Sequence, residues 1–262
     1  MARSVKQLFN LEGRTALVTG GSRGLGLQMA QALGEAGARV LLTSRKAADL
    51  EEAAAELRAA GIEAHWIAAD CGREDDIRRL GDEALARLGQ VDILVNNAGA
   101  AWGSPAEDHP VEAWDKLMNL NVRGYFILSQ HLAKKCMIPR RQGRIINIAS
   151  IAGLGGNPAH LQTIPYNTSK GAVINFTRAL GCEWGRHNIT VNAICPGFFP
   201  SKMTQHTLET HGDEMAAKAP LLRLGDDEDL KGVTLLFASD AGKHITGQWL
   251  AVDGGASVVT CG

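Results

Sequence analysis

No Cys-x-x-Cys pair occurs among the five cysteines (Cys71, Cys136, Cys182, Cys195 and Cys261), and no His-Glu-x-x-His among the eight histidines. Scattered, odd-numbered thiols exclude a disulfide framework and a cysteine-built zinc site, and read as free thiols in a reducing cytosol. The histidine spacing offers no metal-hydrolase pattern. Neither sign of charge is in excess: Lys plus Arg number 27 against 28 for Asp plus Glu. That balance leaves no footprint for nucleic acid or for an anionic membrane surface. The amino terminus has no apolar signal region, and no run approaches the ~18 apolar residues of a membrane span. A cytoplasmic protein without metal, membrane or nucleic-acid partner is expected. Linkers, repeats and composition shifts are missing too, so residues 1–262 are read as one domain. A chain of this length buries about three quarters of its unfolded surface and needs no staple.

What is present is alternation. Short β-branched runs at residues 15–19, 39–43, 64–69, 91–96, 144–149, 190–194 and 248–252 are separated by helix-period stretches. The latter lie at 25–36, 47–60, 74–88, 111–136, 165–184 and 227–238. Nearly continuous apolar strands spaced by helices predict a parallel sheet covered on both faces. Seven strands, with glycines gathered after the first, favour an open doubly wound α/β sheet of the Rossmann type over a closed eight-stranded barrel. Residues 196–220 read as the least regular stretch, too long for an ordinary connection and suited to a substrate-binding loop.

Directly after the first strand stand Gly20, Gly21, Ser22, Arg23, Gly24, Leu25 and Gly26. Glycines at this spacing let the chain turn tightly and let backbone N–H groups approach a pyrophosphate, while the helix start adds its positive dipole. A dinucleotide site is therefore expected. NAD sites usually place an acid about 20 residues on, but here the second strand runs into Ser44, Arg45 and Lys46. Arg45, with Arg23, has the planar fork that pairs a 2′-phosphate, which points to NADP(H); solvated surface arginines are the plainer alternative. Asp70, before Cys71, is placed either to accept from an adenine amino group or to cap a helix. Asn96, Asn97, Ala98 and Gly99 end the fourth strand with small and amide side chains that let a flat ligand lie against the backbone.

Tyr166 and Lys170 stand four apart at the start of a long helical stretch, so they share one face. A phenol holds its proton tightly at neutral pH. An adjacent ammonium and a positive nicotinamide favour the phenolate, which makes the pair an acid/base for a developing alkoxide. Tyr and Lys at this spacing also occur on ordinary amphipathic helices, but the chain has only two tyrosines.

In order and spacing, the residue 19–26 turn, Asp70, the Asn96–Gly99 segment, Asn121, Ser150, Tyr166, Lys170, Pro196 and Gly197 resemble the short-chain dehydrogenase/reductase family over essentially the whole chain. The resemblance implies hydride exchange between a nicotinamide and a small ketone or alcohol substrate. It implies that Tyr166 is the general acid/base, that Lys170 lowers its pKa and bonds the nicotinamide ribose, and that Ser150 holds the substrate oxygen. Asn121 would anchor a water that links Lys170 to solvent. Pro196, Gly197, Phe199 and Ser201 would complete the cofactor site, and a homotetramer or homodimer built on paired long helices is implied as well.

Two features depart from the family pattern. Ser201 stands where a threonine is common, and Ser150 and Tyr166 are sixteen apart, a few residues more than usual. The mouth is expected from Trp102, Leu154, His160, Leu161, Ile164, Phe198, Phe199 and Met203, mostly apolar. Segments 97–103 and 196–204 are similar to 3-oxoacyl reductases of the rhamnolipid type and to gluconate 5-dehydrogenase-like members. A basic cluster (Lys134, Lys135, Arg140, Arg141 and Arg144) suggests a dock for an acidic carrier protein, or cations at a helix carboxyl end. An outer seam is expected from Ala172, Val173, Phe176, Ala179 and Leu180, which would otherwise face their own sheet. A carbonyl or 3-oxoacyl reductase leads, ahead of a sugar-acid or polyol dehydrogenase and of a nucleotide-binding regulator without turnover.

Overall fold

Strands whose every side chain is apolar or small can be covered from both sides, and the chain is arranged accordingly. A computed structural model describes residues 2–259; Cys261 lies outside the described residues. In chain order the elements are α1 (Val5–Phe9), β1 (Thr15–Thr19), α2 (Gly24–Glu35), β2 (Arg39–Ser44), α3 (Ala47–Ala59), β3 (Ala64–Ala68), α4 (Glu74–Leu88) and β4 (Ile93–Asn96). There follow α5 (Val111–Met118), α6 (Gly124–Leu132), α7 (Ile138–Arg140), β5 (Gly143–Ile148), α8 (Ile164–Trp184), β6 (Ile189–Pro196), α9 (Gln205–Lys218), α10 (Lys231–Ala238) and β7 (Trp249–Val252).

All pairings are parallel, in the order β3-β2-β1-β4-β5-β6-β7. The chain builds outward from β1 to β3, then returns to β1's other side. At that reversal the loops after β1 and β4 diverge and open a crevice at the strands' carboxyl ends. Successive residues of β1 serve opposite layers: Ala16 and Val18 pack with Met29 and Leu33 of α2 and Phe237 of α10. Leu17 packs with Ile77 and Leu80 of α4, Leu128 of α6 and Leu180 of α8. The expected doubly wound sheet with helices on both faces is the observed fold. Among the described residues no helix is long and apolar enough to cross a membrane.

Two expectations need correction. The stretch 111–136 is not one regular helix: π turns at Asn119–Arg123 and Ala133–Met137 interrupt it before it ends at Arg140. Residues 196–220 are not irregular throughout, because α9 occupies fourteen of them. No residue of α9 is buried, so it carries no apolar stripe for sequence periodicity to reveal. The basic cluster is largely paired. Lys135 pairs with Asp82, Arg140 with buried Asp92 at 2.6 Å, and Arg144 with Asp240, while Arg141 donates to the Arg186 carbonyl. Arg140 and Arg144 are thus spent inside the fold, while Lys134, Lys135 and Arg141 stay exposed.

Candidate active site

The glycine turn is held from within. Gly20 and Gly24 have left-handed φ values of 64° and 52°. A side chain on Gly26 would strike the Gly20 carbonyl, and one on Gly20 would come within 2.8 Å of Asn97 Nδ2. Asn97 is where it is because its amide donates to the Thr19 and Gly20 carbonyls at 2.8 and 3.2 Å. Thr19 Oγ1 in turn accepts from the Asn97 and Ala98 N–H groups, each at 2.9 Å. Asn97 therefore builds the cradle with its side chain rather than lining it. Ser22, Arg23 and Leu25 lead into α2, whose start has no side-chain cap, so its orphan N–H groups remain available to an anion.

At the end of β2 the Ser44 hydroxyl is buried with no partner among the described residues, next to exposed Arg45 and Lys46. Arg23 faces Asp49 at 3.4 Å, so its guanidinium already has a carboxylate beside it. Asp70 Oδ1 accepts from the Gly72 N–H at 2.9 Å, which makes it first a turn-former. Cys71 is a core residue packed with Ile77 and Leu80. Burial, together with Asp70 and Asp76, pushes its thiol up to about 12. Its side chain serves the core, which leaves its main chain for the crevice. A glycine cradle, an uncapped helix start and an unpartnered hydroxyl beside Arg45 fit a phosphorylated dinucleotide.

The candidate acid/base residues converge from three elements. Asn121 sits in the π turn between α5 and α6 and is fully buried. Its side chain accepts from the Ala100 N–H and donates to the Ala100 carbonyl, both at 3.0 Å, and also donates to Ser169 Oγ. The wide turn aims the amide at the loop after β4, a common use of π geometry at functional sites. Ser150 follows β5, and its Oγ accepts from the Ala152 N–H at 3.1 Å. Tyr166 and Lys170 lie one turn apart on α8, with Lys170 Nζ 5.5 Å from the Tyr166 ring centroid. The buried ammonium donates to the Ile148 carbonyl at 2.8 Å. That carbonyl is open because the β4–β5 register stops at Asn96 and Asn147, and the next N–H groups of β4 go to Thr19. Gly99 faces the same spot: a side chain there would lie 3.3 Å from Asn121 Oδ1 and 3.6 Å from Lys170 Nζ.

The charge balance differs from the simple expectation. Burial raises the Tyr166 phenol above its ordinary value, partly offset by a hydrogen bond with Ser150. Burial also brings Lys170 down to about 8. The net effect of burial is to hold the phenol's proton, so the positive ring of an oxidised nicotinamide has to add to the pull of the Lys170 ammonium.

After β6, the Gly197 N–H donates to the Val252 carbonyl, and a side chain at Gly197 would meet Asp253. Pro196 ends the strand, and Ser201 Oγ lies 2.9 Å from Thr204 Oγ1. The Phe199 ring is packed in the core against Gly225, so only the main chain of this residue is free for a ligand. Trp102, Leu154, Ile164 and Met203 are exposed on the loops above the strand ends. His160 stacks on His211 of α9, with ring centroids 4.9 Å apart. Reading the sequence missed Ser169, the partner of Asn121, and gave Tyr125 no role at the site. Nothing in local spacing marks either.

Residues 14–212 match the family described as short chain dehydrogenase. The chain is 38% identical over 254 residues to a gluconate 5-dehydrogenase of Gluconobacter oxydans, covering 96% of this chain and 97% of that one. It is 40% identical over 253 residues to a rhamnolipids biosynthesis 3-oxoacyl-[acyl-carrier-protein] reductase of Pseudomonas aeruginosa, covering 94% and 97%. A crystal structure of a gluconate 5-dehydrogenase from Burkholderia cenocepacia, in complex with NADP and tartrate, superposes with a TM-score of 0.92 at 34% identity. That match covers 98% of this chain and all of the other. The crevice and polar cluster already define an oxidoreductase of the alcohol–carbonyl pair. The chain belongs to the short-chain dehydrogenase family.

Proposed function

We propose that the protein is an NADPH-dependent carbonyl or 3-oxoacyl reductase, one domain in which residues 196–220 shape the substrate side. The observation that carries this reading is half-buried Tyr166 one helical turn from buried Lys170, beside Ser150 at the carboxyl end of the sheet. Bound NADPH supplies the hydride. Gly20, Gly24 and Gly26 admit its pyrophosphate, and Ser44, Arg45 and Lys46 hold the 2′-phosphate; the unpartnered Ser44 hydroxyl supports that assignment. Ser150 positions the carbonyl oxygen, and Tyr166 donates its proton there as negative charge develops. Lys170, held by the Ile148 carbonyl, stabilises the resulting phenolate and bonds the ribose. Asn121 keeps the Ala100 loop and α8 in register around them.

Exposed Trp102, Leu154, Ile164 and Met203 favour a ketone with a hydrocarbon portion. A second reading, a sugar-acid dehydrogenase, draws on the His160–His211 pair as a polar patch at the mouth and on the likeness to gluconate 5-dehydrogenase. Rates with an acetoacetyl thioester and with 5-ketogluconate, each with NADPH and NADH, separate the two. The proposal expects thioester reduction with NADPH preferred, and Arg45→Asp inverting the preference. A preference for 5-ketogluconate, or an unchanged cofactor ratio in the variant, contradicts it. The described thiols Cys71, Cys136, Cys182 and Cys195 are free, which supports a cytoplasmic setting. The assembly is a homotetramer or homodimer. Of the expected seam, Val173 and Leu180 face their own sheet. Phe176 instead meets exposed Phe126 edge to face, and this pair is the seam's apolar centre.

A further inference from the structure

Lys170 is flanked by aromatic rings on two sides. Its Nζ lies 5.5 Å from the Tyr166 centroid and 5.7 Å from that of Tyr125. Tyr125 belongs to α6, is 2% exposed, and packs with Ala149, Val173 and Cys195. Its hydroxyl points at the Ile148 carbonyl at 3.4 Å, longer than an effective O–H···O bond. Lys170 takes the same carbonyl at 2.8 Å. What Tyr125 offers the ammonium is therefore chiefly its ring face. The two tyrosines of the chain thus sit on either side of one buried cation.

We propose that Tyr125 is a positioning residue whose ring face holds the Lys170 ammonium charged and seated on the Ile148 carbonyl. This rests on the reading of Tyr166 and Lys170 as the acid/base pair. The physical need is plain: Lys170 is buried, and among the described residues its ammonium forms no salt bridge. Cys195, from β6, is the other titratable group near it, and burial pushes that thiol up to about 11, so it stays neutral at pH 7. Asp253 acts on Cys195 from the loop after β7. With a neutral thiol and two neutral phenols as neighbours, the attraction available to the cation is a carbonyl dipole and two aromatic quadrupoles. Cation–π attraction is strongest where water is excluded, as here. Loss of one ring makes the ammonium less favourable, weakens its pull on Tyr166, and raises the proton affinity of that phenol.

The test uses the full chain saturated with NADP+. Tyr125→Phe keeps the ring, and Tyr125→Met fills similar space with a flexible apolar chain that has no π face. Either variant leaves Tyr166 as the sole tyrosine, so the ultraviolet difference spectrum of tyrosinate titrates that one group without any substrate. The Tyr166 midpoint is expected about half a pH unit higher in Tyr125→Met than in Tyr125→Phe. Coincident midpoints overturn the proposal. Lys170→Met in the Tyr125→Phe background separates the underlying reading. If it raises the Tyr166 midpoint while Tyr125→Met does not, only the role of Tyr125 fails. If it leaves the midpoint unmoved, the acid/base pairing fails and takes the role of Tyr125 with it.

Discussion

At the scale of single residues, Lys170 shows function opposing stability. Its folded-state value of about 8 lies below the ordinary 10.5 because burial disfavours the charge. Below pH 8 the group is protonated both folded and unfolded, and the fold carries the full desolvation cost. Between 8 and 10.5 the unfolded chain binds more protons than the folded one, so stability rises with pH across that window. Lys170→Met is accordingly expected to stabilise the protein at pH 7, by at most about 3 kcal/mol, since the Ile148 carbonyl loses its donor. The gain should shrink as pH approaches 10. Denaturant midpoints of both proteins at pH 7 and 10 check this, and a variant less stable at pH 7 contradicts it. The sequence showed that Tyr166 and Lys170 share a helical face. It did not show that burial raises the phenol, because burial is a tertiary property. Tyr125, distant in sequence and without a motif, was invisible for the same reason.

Elements set the distances between these side chains, and one contact is decisive. The turn Ile151–Gly153 after β5 lies directly on α8: a side chain on Gly153 would come within 2.5 Å of the Lys170 carbonyl carbon and 2.7 Å of the Gly171 nitrogen. Backbone meets backbone there, so Gly153→Ala must push α8 away from Ser150. Turnover is expected to fall by about 10²-fold, the usual consequence of misplacing reacting groups by an ångström, while NADPH affinity changes little because the glycine cradle lies elsewhere. Steady-state rates and a cofactor titration decide it; unaltered turnover would mean that α8 is not seated by this contact. Element order and type were legible because strands buried on both faces and amphipathic helices such as α4 carry strong periodic signals. The π turn at Asn119–Arg123 was not, because the Asn121–Ala100 bonds that go with it reach a loop distant in sequence. Nor was α9, which has no buried face.

For the whole molecule, the sheet order explains why residues from positions 20 to 201 meet. Parallel strands bring every following loop to one edge, and the reversal between β1 and β4 opens it. The same packing leaves Phe126 exposed on α6, edge to face with half-buried Phe176 of α8. Phe126→Asp is expected to yield smaller species by sedimentation at micromolar concentration, since a charge at an apolar seam is left unpaired. An unchanged mass would move the interface elsewhere.

The account turns on proton donation by one phenol. Turnover of an acetoacetyl thioester with saturating NADPH, compared between the native chain and Tyr166→Phe, tests it directly. A fall of about 10²–10⁴-fold with cofactor binding retained is the expected result. Equal rates in the two proteins would contradict it.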